Sequence, residues 1–220
     1  MEDRSVPLSA PSPGSVVVLH GLWMSDYGTW LLRHRLASRG FVPWSFSYAS
    51  MHGRLDEILA NLSATIASLP APVHLVGHSL GGLVILKLFE RFPDQPEGRV
   101  VLLGTPACGS CAASAVARWP IGPSLLGPIA VEQLVNAPPR RWDSGRALGV
   151  VAGTLSAGMG RVFADVPEPN DGTVAVEETR LEGATDHLAL HVSHTGMVLS
   201  SDVADQVAHF LQHGCFDRTS

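Results

Sequence analysis

Short apolar runs alternate with amphipathic segments along most of this chain. The runs are rich in Val, Ile and Leu and are bounded by turn-forming residues, which is typical of strands buried on both faces. They predict strands near residues 15–20, 41–47, 73–78, 99–103, 148–153 and 186–192. The segments between them carry apolar residues at helical spacing and predict helices near 28–39, 55–68, 81–92 and 197–213.

This alternation of strands and helices predicts a single α/β domain. Strands followed by helices form a mostly parallel sheet covered on both faces, with right-handed crossovers. The chain has 220 residues, of which 45% are hydrophobic and 16% charged, so it is long and apolar enough for one large core. No repeat, low-complexity tract or linker divides it. We therefore expect one domain over residues 1–220, with its core over residues 14–213.

The least regular segment lies between the fourth and fifth predicted strands, over residues 107–146. Its central part, residues 119–131, carries no charge and contains prolines and glycines that forbid a long helix. Apolar residues are costly to expose on a plain loop. The segment therefore predicts a small cap or lid with an apolar inner surface. The alternative is an irregular buried connection that touches no substrate.

The sequence Gly77-His78-Ser79-Leu80-Gly81-Gly82 stands between the third predicted strand and the helix after it. A strand, a sharp turn and a helix with a serine at the apex form a nucleophile elbow. The residues two before and two after the serine come close together, which Gly77 and Gly81 permit because they lack a Cβ atom. Ser79 Oγ then stands clear of the sheet, and the N–H of Leu80 points toward it from the positive end of the helix.

A second motif, His20-Gly21-Leu22-Trp23, ends the first predicted strand. Together with the elbow it resembles the α/β-hydrolase superfamily, and within it the bacterial lipases and esterases, in which His-Gly closes the first core strand. The resemblance implies a minimal α/β-hydrolase fold, with about six mostly parallel strands, helices on both faces and a small cap insertion. It also implies that the N–H of Leu22 joins that of Leu80 in an oxyanion hole. The alternative is that His20 only ends its strand.

The same resemblance implies a catalytic acid in a loop after a late strand, and a catalytic histidine after the acid. The turn-forming residues Asn170-Asp171-Gly172 follow the fifth predicted strand, so Asp171 is the predicted acid. Asp165 and Asp186 are alternative acids, and the alternative role of Asp171 is to shape its turn. His194 lies in a His-Thr-Gly segment before the last helix and is the predicted base.

Three histidines near the C-terminus leave a second interpretation open. His187, His191 and His194 have the i, i+4, i+7 spacing that would place them on one helix face as metal ligands. The segment falls where the last core strand is required, however, so we expect no metal and no cofactor. Cys108 and Cys111 have no second pair of ligands for zinc. We assign them to a structural loop, with or without a local disulfide.

The charge of the chain argues against several classes of partner. The formal net charge is -5 at pH 7 and no Lys/Arg cluster forms a phosphate track, which argues against nucleic acid. No apolar run reaches the length of a membrane span, so we expect no stable membrane insertion. Residues 1–7 have no basic head followed by an apolar core. With the few cysteines, this predicts a cytoplasmic protein, or a secreted one if a leader has been removed.

These observations predict a serine hydrolase that cleaves carboxylic esters through an acyl-enzyme, as a carboxylesterase or lipase. Ser79 attacks, His194 transfers the proton and Asp171 orients the imidazole. The apolar cap favours a small-molecule ester with an apolar, uncharged acyl chain. The predicted substrate-binding residues are Trp23, Leu125, Leu126 and Ile129. The alternatives are an amidase, a thioesterase or an acyltransferase with the same triad, or a non-catalytic binder of small apolar ligands.

Overall fold

One parallel sheet forms the centre of the molecule. The computed structural model describes residues 13–136, 140–157 and 165–219. Within them the strands are β1 (Ser15–Leu19), β2 (Val42–Phe46), β3 (Val73–His78), β4 (Val100–Leu103), β5 (Leu148–Gly153) and β6 (Asp186–Leu190). They lie in the order β2-β1-β3-β4-β5-β6, and every neighbouring pair is parallel. The predicted parallel sheet is therefore confirmed.

In the described residues, α-helices connect the strands from β1 to β5, and one more helix follows β6. In the described residues they are α1 (Trp30–Ala37), α2 (Leu55–Ala67), α3 (Leu80–Arg91), α4 (Cys111–Ala117), α5 (Gly122–Ala130) and α6 (Ser201–His213). Short 3₁₀ turns precede two of them, Asp26–Thr29 before α1 and Gly196–Val198 before α6. The predicted helices near 28–39 and 197–213 thus each consist of a 3₁₀ turn followed by an α-helix. No described helix has the length and apolar character needed to cross a membrane.

The alternation of side chains along β1 explains how both faces are buried. Successive residues of a strand point to opposite faces of the sheet. Val17 and Leu19 lie in the core that α2 and α3 cover, whereas Val16 and Val18 lie in the core that α1 and α6 cover. Burying such a side chain contributes roughly 1.5–3 kcal/mol relative to leaving it exposed. A strand with apolar residues at every position is therefore stable only in the middle of such a sheet.

The segment predicted as a cap contains two short helices, α4 and α5. Ser110 begins α4, and its side-chain oxygen accepts a hydrogen bond of 3.1 Å from the N–H of Ala113. Gly127 breaks α5 with φ 77° and ψ 164°, immediately before Pro128. A Cβ atom at Gly127 would clash with the backbone of Met51, so this close approach requires glycine. Residues 137–139 of the predicted cap, and residues 1–7 considered for a leader, lie outside the described residues.

Candidate active site

Ser79 occupies the sharp turn between β3 and α3. Its φ of 53° and ψ of -119° lie in a region that non-glycine residues seldom adopt. Two hydrogen bonds hold the turn: the N–H of Ser79 donates to the carbonyl of Leu103 at 2.8 Å, and Thr105 Oγ1 donates to the carbonyl of Ser79 at 3.1 Å. A Cβ atom at Gly77 would lie 2.6 Å from the backbone of Gly82. The elbow predicted from the sequence therefore has the required close approach of its glycines.

The loop after β1 packs directly on this elbow. A Cβ atom at Gly21 would lie 3.1 Å from Ser79 Cβ, so only glycine allows this separation without displacement. The Tyr48 hydroxyl donates a hydrogen bond of 2.8 Å to the carbonyl of His20, and the two rings stack with centroids 4.6 Å apart. Burial raises the pKa of Tyr48, so this hydroxyl remains a donor. Tyr48 thereby fixes the start of the loop that carries Leu22.

Two backbone N–H groups remain available beside Ser79. Leu80 begins α3, and the first N–H groups of a helix have no partner within the helix. Among the described residues, neither the N–H of Leu80 nor that of Leu22 makes a hydrogen bond. Leu22 also lines the cavity that contains Ser79. The structure thus leaves both predicted donors free to bind an oxygen.

Asp171 and His194 form a buried hydrogen-bonded pair. Asp171 is 1% exposed, and its Oδ1 accepts hydrogen bonds from the N–H groups of Thr173 at 2.9 Å and Val174 at 2.7 Å. Its Oδ2 lies 2.7 Å from His194 Nδ1. A carboxylate only accepts hydrogen bonds, so Nδ1 carries the proton and Nε2 is left as the basic nitrogen. The backbone N–H of His194 also donates to the carbonyl of Asp171 at 2.9 Å.

Glycines that close two strands make room for this pair. A Cβ atom at Gly104, which follows β4 with φ 54°, would lie 3.1 Å from His194 Nδ1 and 3.2 Å from Asp171 Oδ2. A Cβ atom at Gly153, the last residue of β5, would lie 2.7 Å from Asp171 Cβ. The sequence does not indicate this role for either glycine, although Gly104 directly follows a predicted strand and Gly153 ends one. Both glycines leave space for Asp171 and His194 at the C-terminal ends of the strands.

His78 is a residue of the site whose contacts sequence analysis missed. Its side chain is buried, and its Nε2 lies 2.9 Å from the carbonyl oxygen of His194. The two rings are 4.7 Å apart between centroids. Burial lowers the pKa of His78 to about 3, with a further contribution from the nearby His194. From the sequence, the side chain of His78 is expected only to point away from Ser79 and pack beside the elbow, because its partner in the loop of His194 is distant along the chain.

Neither alternative acid lines the cavity that contains Ser79. Asp165 is exposed. Asp186 begins β6, at the end of the strand opposite to the loop that carries His194, and its carboxylate pairs with Arg218 at 2.6 Å. The hydrogen bond from Arg218 lowers the pKa of Asp186. Of the three carboxylates considered, the structure brings only Asp171 to His194.

The neighbouring histidines and the cysteines also have other surroundings. His187 Nε2 shares a hydrogen bond of 2.9 Å with Thr179 Oγ1, whereas His191 is exposed just beyond β6. Cys108 and Cys111 are free thiols. Within the described residues, no group of three or more His, Cys, Asp or Glu side chains is placed to hold a metal ion.

Ser79 and His194 line one cavity of about 210 Å³, between the elbow, the loop after β1 and the helices α4 and α5. Most of its walls are apolar, formed by Leu22, Trp23, Met24, Pro106, Ala112, Ala113, Val116, Leu126, Leu134, Ala157 and Val174. None of the described residues that line it is Asp, Glu, Lys or Arg. The volume is below the range of about 300–1,000 Å³ for pockets of drug-sized ligands. The cavity therefore suits a small, uncharged group.

The predicted substrate-binding residues have three different locations. Trp23 and Leu126 line the cavity. Leu125 does not line it, but its carbonyl accepts a hydrogen bond of 2.9 Å from the indole N–H of Trp23. Ile129 does not line the cavity, so its prediction as a cavity residue requires correction; its side chain, like that of Leu126, is 2% exposed and packs in the main core. Ile129 follows the break at Gly127, whereas Leu126 precedes it.

The sequence also matches a family model. The model described as "Alpha/beta hydrolase family" matches residues 16–215, almost the whole of the described chain. The protein belongs to this alpha/beta hydrolase family. The superfamily resemblance that the elbow and the His-Gly motif indicated is thereby confirmed. No curated protein sequence matches the chain.

Several solved structures of alpha/beta hydrolases are similar to the chain. A mature Bacillus licheniformis lipase has a TM-score of 0.63 and 19% identity, covering 88% of this chain and 89% of that one. A monoacylglycerol lipase from Paleococcus ferrophilus has a TM-score of 0.65 and 15% identity, covering 93% and 96%. A prodiginine-pathway thioesterase from Streptomyces coelicolor has a TM-score of 0.55 and 11% identity, covering 96% and 91%. At these identities the likeness establishes the fold.

Proposed function

We propose that this alpha/beta hydrolase is a serine esterase that cleaves small, uncharged carboxylic esters through an acyl-enzyme. One observation carries the proposal: the 2.7 Å contact between His194 Nδ1 and Asp171 Oδ2 beside a cavity that His194 shares with the strained Ser79. Nucleophile, base and orienting acid are the three groups that such a reaction needs. The lipases among the similar structures are consistent with this chemistry.

In the acylation step, Ser79 Oγ attacks the carbonyl carbon of the ester while its proton moves to His194 Nε2. The carbonyl oxygen becomes an oxyanion, and the N–H groups of Leu22 and Leu80 are its proposed donors. Asp171 stabilises the imidazolium that forms. The tetrahedral intermediate then collapses, the bond to the alcohol oxygen breaks, and the alcohol takes the proton from Nε2. The products of this step are the free alcohol and an ester of Ser79.

In the deacylation step, a water molecule replaces the alcohol. His194 Nε2 takes one proton from the water, and the resulting hydroxide attacks the acyl carbon. The same two N–H groups serve the second oxyanion. When this intermediate collapses, Ser79 Oγ leaves and recovers its proton from Nε2. The acid is released, and the enzyme returns to its starting protonation state.

The cavity supports the choice of substrate. Its volume of about 210 Å³ favours a short acyl chain over a long one. Its apolar walls favour an uncharged chain, since a charged group would lose its hydration without gaining a partner. Trp23 and Leu126 are the proposed contacts of that chain. We therefore favour a short-chain carboxylesterase over a lipase of long-chain acylglycerols.

A fluorophosphonate probe tests the nucleophile. Wild-type protein should be labelled and should hydrolyse p-nitrophenyl acetate and butyrate, whereas Ser79→Ala should be unlabelled and lose on the order of 10⁶ in rate. Ser110→Ala is the matched control because Ser110 lines the same cavity and its hydroxyl caps α4. That variant should be labelled normally. Labelling that survives Ser79→Ala, or a wild type that resists the probe, would overturn the proposal.

A substrate panel tests the type of bond. Matched butyryl esters, thioesters and anilides of the same chain length should be compared by kcat/KM. We expect the ester to be cleaved far faster than the anilide, because an amide carbonyl is less reactive toward Ser79 Oγ and an amine is a poorer leaving group than an alcohol. A thioester preferred over the oxygen ester would identify a thioesterase instead.

A further inference from the structure

We propose that His78 is a positioning residue, which sets the place of His194 relative to Ser79 through a hydrogen bond to the backbone of His194. This inference rests on the proposed function, because it assigns a task to a residue beside the proposed triad. His78 directly precedes Ser79 in the elbow, yet its ring reaches a loop 116 positions away in the sequence. No other role has been assigned to its side chain.

His194 is held from two directions. On one side, Asp171 binds both its backbone and its ring: the N–H of His194 donates to the Asp171 carbonyl at 2.9 Å, and Nδ1 lies 2.7 Å from the carboxylate. On the other side, the carbonyl of His194 accepts the hydrogen bond of 2.9 Å from His78 Nε2. Without His78, the backbone of His194 itself would be hydrogen-bonded, among the described residues, only to Asp171, although the loop also receives a hydrogen bond of 3.2 Å from the N–H of Leu155 to the carbonyl of Val192. The position of His194 relative to the elbow would then be less constrained.

The location of His78 makes it suitable as an anchor. It is the last residue of β3, which lies between β1 and β4 in the middle of the sheet. His194, by contrast, lies beyond β6, which has a neighbour on one side only. The hydrogen bond therefore connects the loop of an edge strand to the most constrained part of the fold. Because Ser79 is the next residue in the chain, His78 fixes the proposed base relative to the proposed nucleophile.

The protonation of His78 follows from this contact. A carbonyl oxygen only accepts hydrogen bonds, so Nε2 of His78 carries the proton and Nδ1 is unprotonated. Nδ1 is buried and makes no hydrogen bond within the described residues, and it lies 3.0 Å from where a Cβ atom at Gly21 would be. A buried acceptor without a partner is destabilising. A phenyl ring would fill the same space without that cost, so packing alone does not explain a histidine here.

The charge of His78 is also compatible with the proposed reaction. Burial keeps its pKa near 3, so the ring is neutral at working pH. His194 becomes positively charged when it takes the proton of Ser79, at a ring distance of 4.7 Å from His78. A neutral donor fixes the base without repelling that charge.

Substitutions at His78 separate the hydrogen bond from packing. The amide nitrogen of glutamine reaches about as far as Nε2, so His78→Gln retains a donor to the His194 carbonyl. His78→Asn has the same amide on a shorter side chain, and His78→Phe retains the ring without a donor. His74 supplies the matched control: it is buried in the same strand, and its Nε2 contacts the carbonyl of Pro13 at the opposite end. His74→Phe should lower stability without lowering the kcat of the folded enzyme.

We expect His78→Asn and His78→Phe to lower kcat by on the order of 10²-fold, because a misplacement of about 1 Å costs that much in rate. His78→Gln should recover most of this loss. KM for acetyl esters should change far less than kcat. The downfield NMR resonance of the His194 Nδ1 proton should be retained in His78→Gln and broadened in His78→Asn, because the loop of His194 is then less constrained.

Two results would overturn the inference. One is a kcat of His78→Phe equal to that of His74→Phe. The other is a glutamine variant no more active than the asparagine variant, which remains decisive if His78→Phe does not fold. Either result would leave the esterase proposal standing, because that function is tested first on wild-type protein. A wild type without esterase activity or fluorophosphonate labelling contradicts the esterase proposal itself.

Discussion

Backbone strain in this protein is concentrated at two residues that line the same cavity. Ser79 and Trp23, with φ of 53° and 57°, are the non-glycine residues with positive φ in the described part of the chain. Conformations of this kind cost of order 1–3 kcal/mol each and persist only where the surroundings hold them. The N–H of Ser79 donates a hydrogen bond to the carbonyl of Leu103 in β4, and the indole N–H of Trp23 donates one to the carbonyl of Leu125. These hydrogen bonds hold the two strained residues. The strain lies where we propose the chemistry.

The geometry of Asp171 predicts how its amide variant fails. In Asp171→Asn the side-chain oxygen would keep the two backbone N–H donors of Thr173 and Val174, which turns the NH₂ group toward His194. His194 Nδ1 must then accept a hydrogen bond, so the proton moves to Nε2 and the base is lost. We expect kcat to fall by roughly 10⁴-fold, as in other triads. Ester hydrolysis at saturating substrate measures this.

Asp186→Asn is the control for that variant. Asp186 is also hydrogen-bonded to backbone N–H groups, but its partner is Arg218 rather than a histidine of the site. The control should lower stability and leave kcat within a small factor of wild type. If Asp186→Asn lost as much kcat as Asp171→Asn, the assignment of Asp171 as the acid would be contradicted.

Sequence motifs identified some site residues and missed others for a physical reason. The turn at Ser79 could be predicted because it is local and depends on adjacent glycines. Asp171 and His194 could be selected from their order along the chain. His78 and Gly104 could not, because their partners come from another strand or loop. Nothing within a few residues of Gly104 indicates that a side chain there would meet Asp171 and His194.

At the scale of elements, α5 is broken at Gly127. Leu126, just before the break, lines the cavity and Ile129, just after it, does not, although both side chains are buried in the main core. The sequence indicated that a long helix is forbidden here. It did not indicate the direction of each half, because the break depends on contact with Met51.

The cap predicts a dependence on acyl length. Leu126→Ala should raise KM for esters whose chains reach its side chain, by an amount that corresponds to about 0.8 kcal/mol for each buried methylene group that loses contact. Acetyl esters should be unaffected, and kcat should be nearly unchanged because the contact is the same in ground and transition states. The measurement is kcat and KM from acetyl to octanoyl esters.

Leu125→Ala is the matched control for Leu126→Ala. The neighbouring leucine is 38% exposed and does not line the cavity, and the substitution leaves its backbone carbonyl in place for Trp23. It should therefore show no trend with chain length. If the two variants behave alike, the acyl chain binds elsewhere.

Glu178 joins the cap to the loop of the acid. One carboxylate oxygen accepts the N–H of Cys111 at 2.6 Å, where α4 begins, and the other accepts the N–H of Ala175 at 2.9 Å. The carbonyl of Glu178 also accepts the N–H of Cys108. A single residue thus connects the wall of the cavity with the turn that carries Asp171. The cap and the acid loop therefore form one structural unit.

At the scale of the whole molecule, the sheet was the most predictable feature. The four central strands β1, β3, β4 and β5 are mostly apolar and buried throughout, as strands with neighbours on both faces are, whereas the edge strands β2 and β6 are only partly buried. The observed strands lie within two residues of their predicted bounds. The order of the strands in the sheet could not be predicted from the apolar runs alone, because these runs do not indicate that β1 pairs with both β2 and β3.

Buried neutral histidines predict that the fold weakens in mild acid. Burial holds the pKa of His78 near 3, against an ordinary value of 6.5, and also lowers the pKa of His74. Between these values the unfolded chain binds a proton that the folded protein does not. The free energy of unfolding therefore falls as pH drops below about 6.5, by up to about 1.4 kcal/mol per pH unit for His78.

Urea unfolding between pH 7 and pH 4 measures this effect. The slope of stability against pH should be shallower in His78→Gln than in wild type, because glutamine does not titrate. An identical slope in the two proteins would mean that His78 is protonated in the folded state.

The uncharged walls around Ser79 affect the proposed ester substrate and its acid product differently. An ester enters the cavity without a charge, but the acid formed from it ionises above its own pKa. No described residue with a permanent positive charge lines the cavity, so the N–H groups proposed for the oxyanion are the donors left for that carboxylate, and moving it out of water is costly. At neutral pH we therefore expect the product to be a poor ligand of the site. Ionisation of the acid should then favour its release.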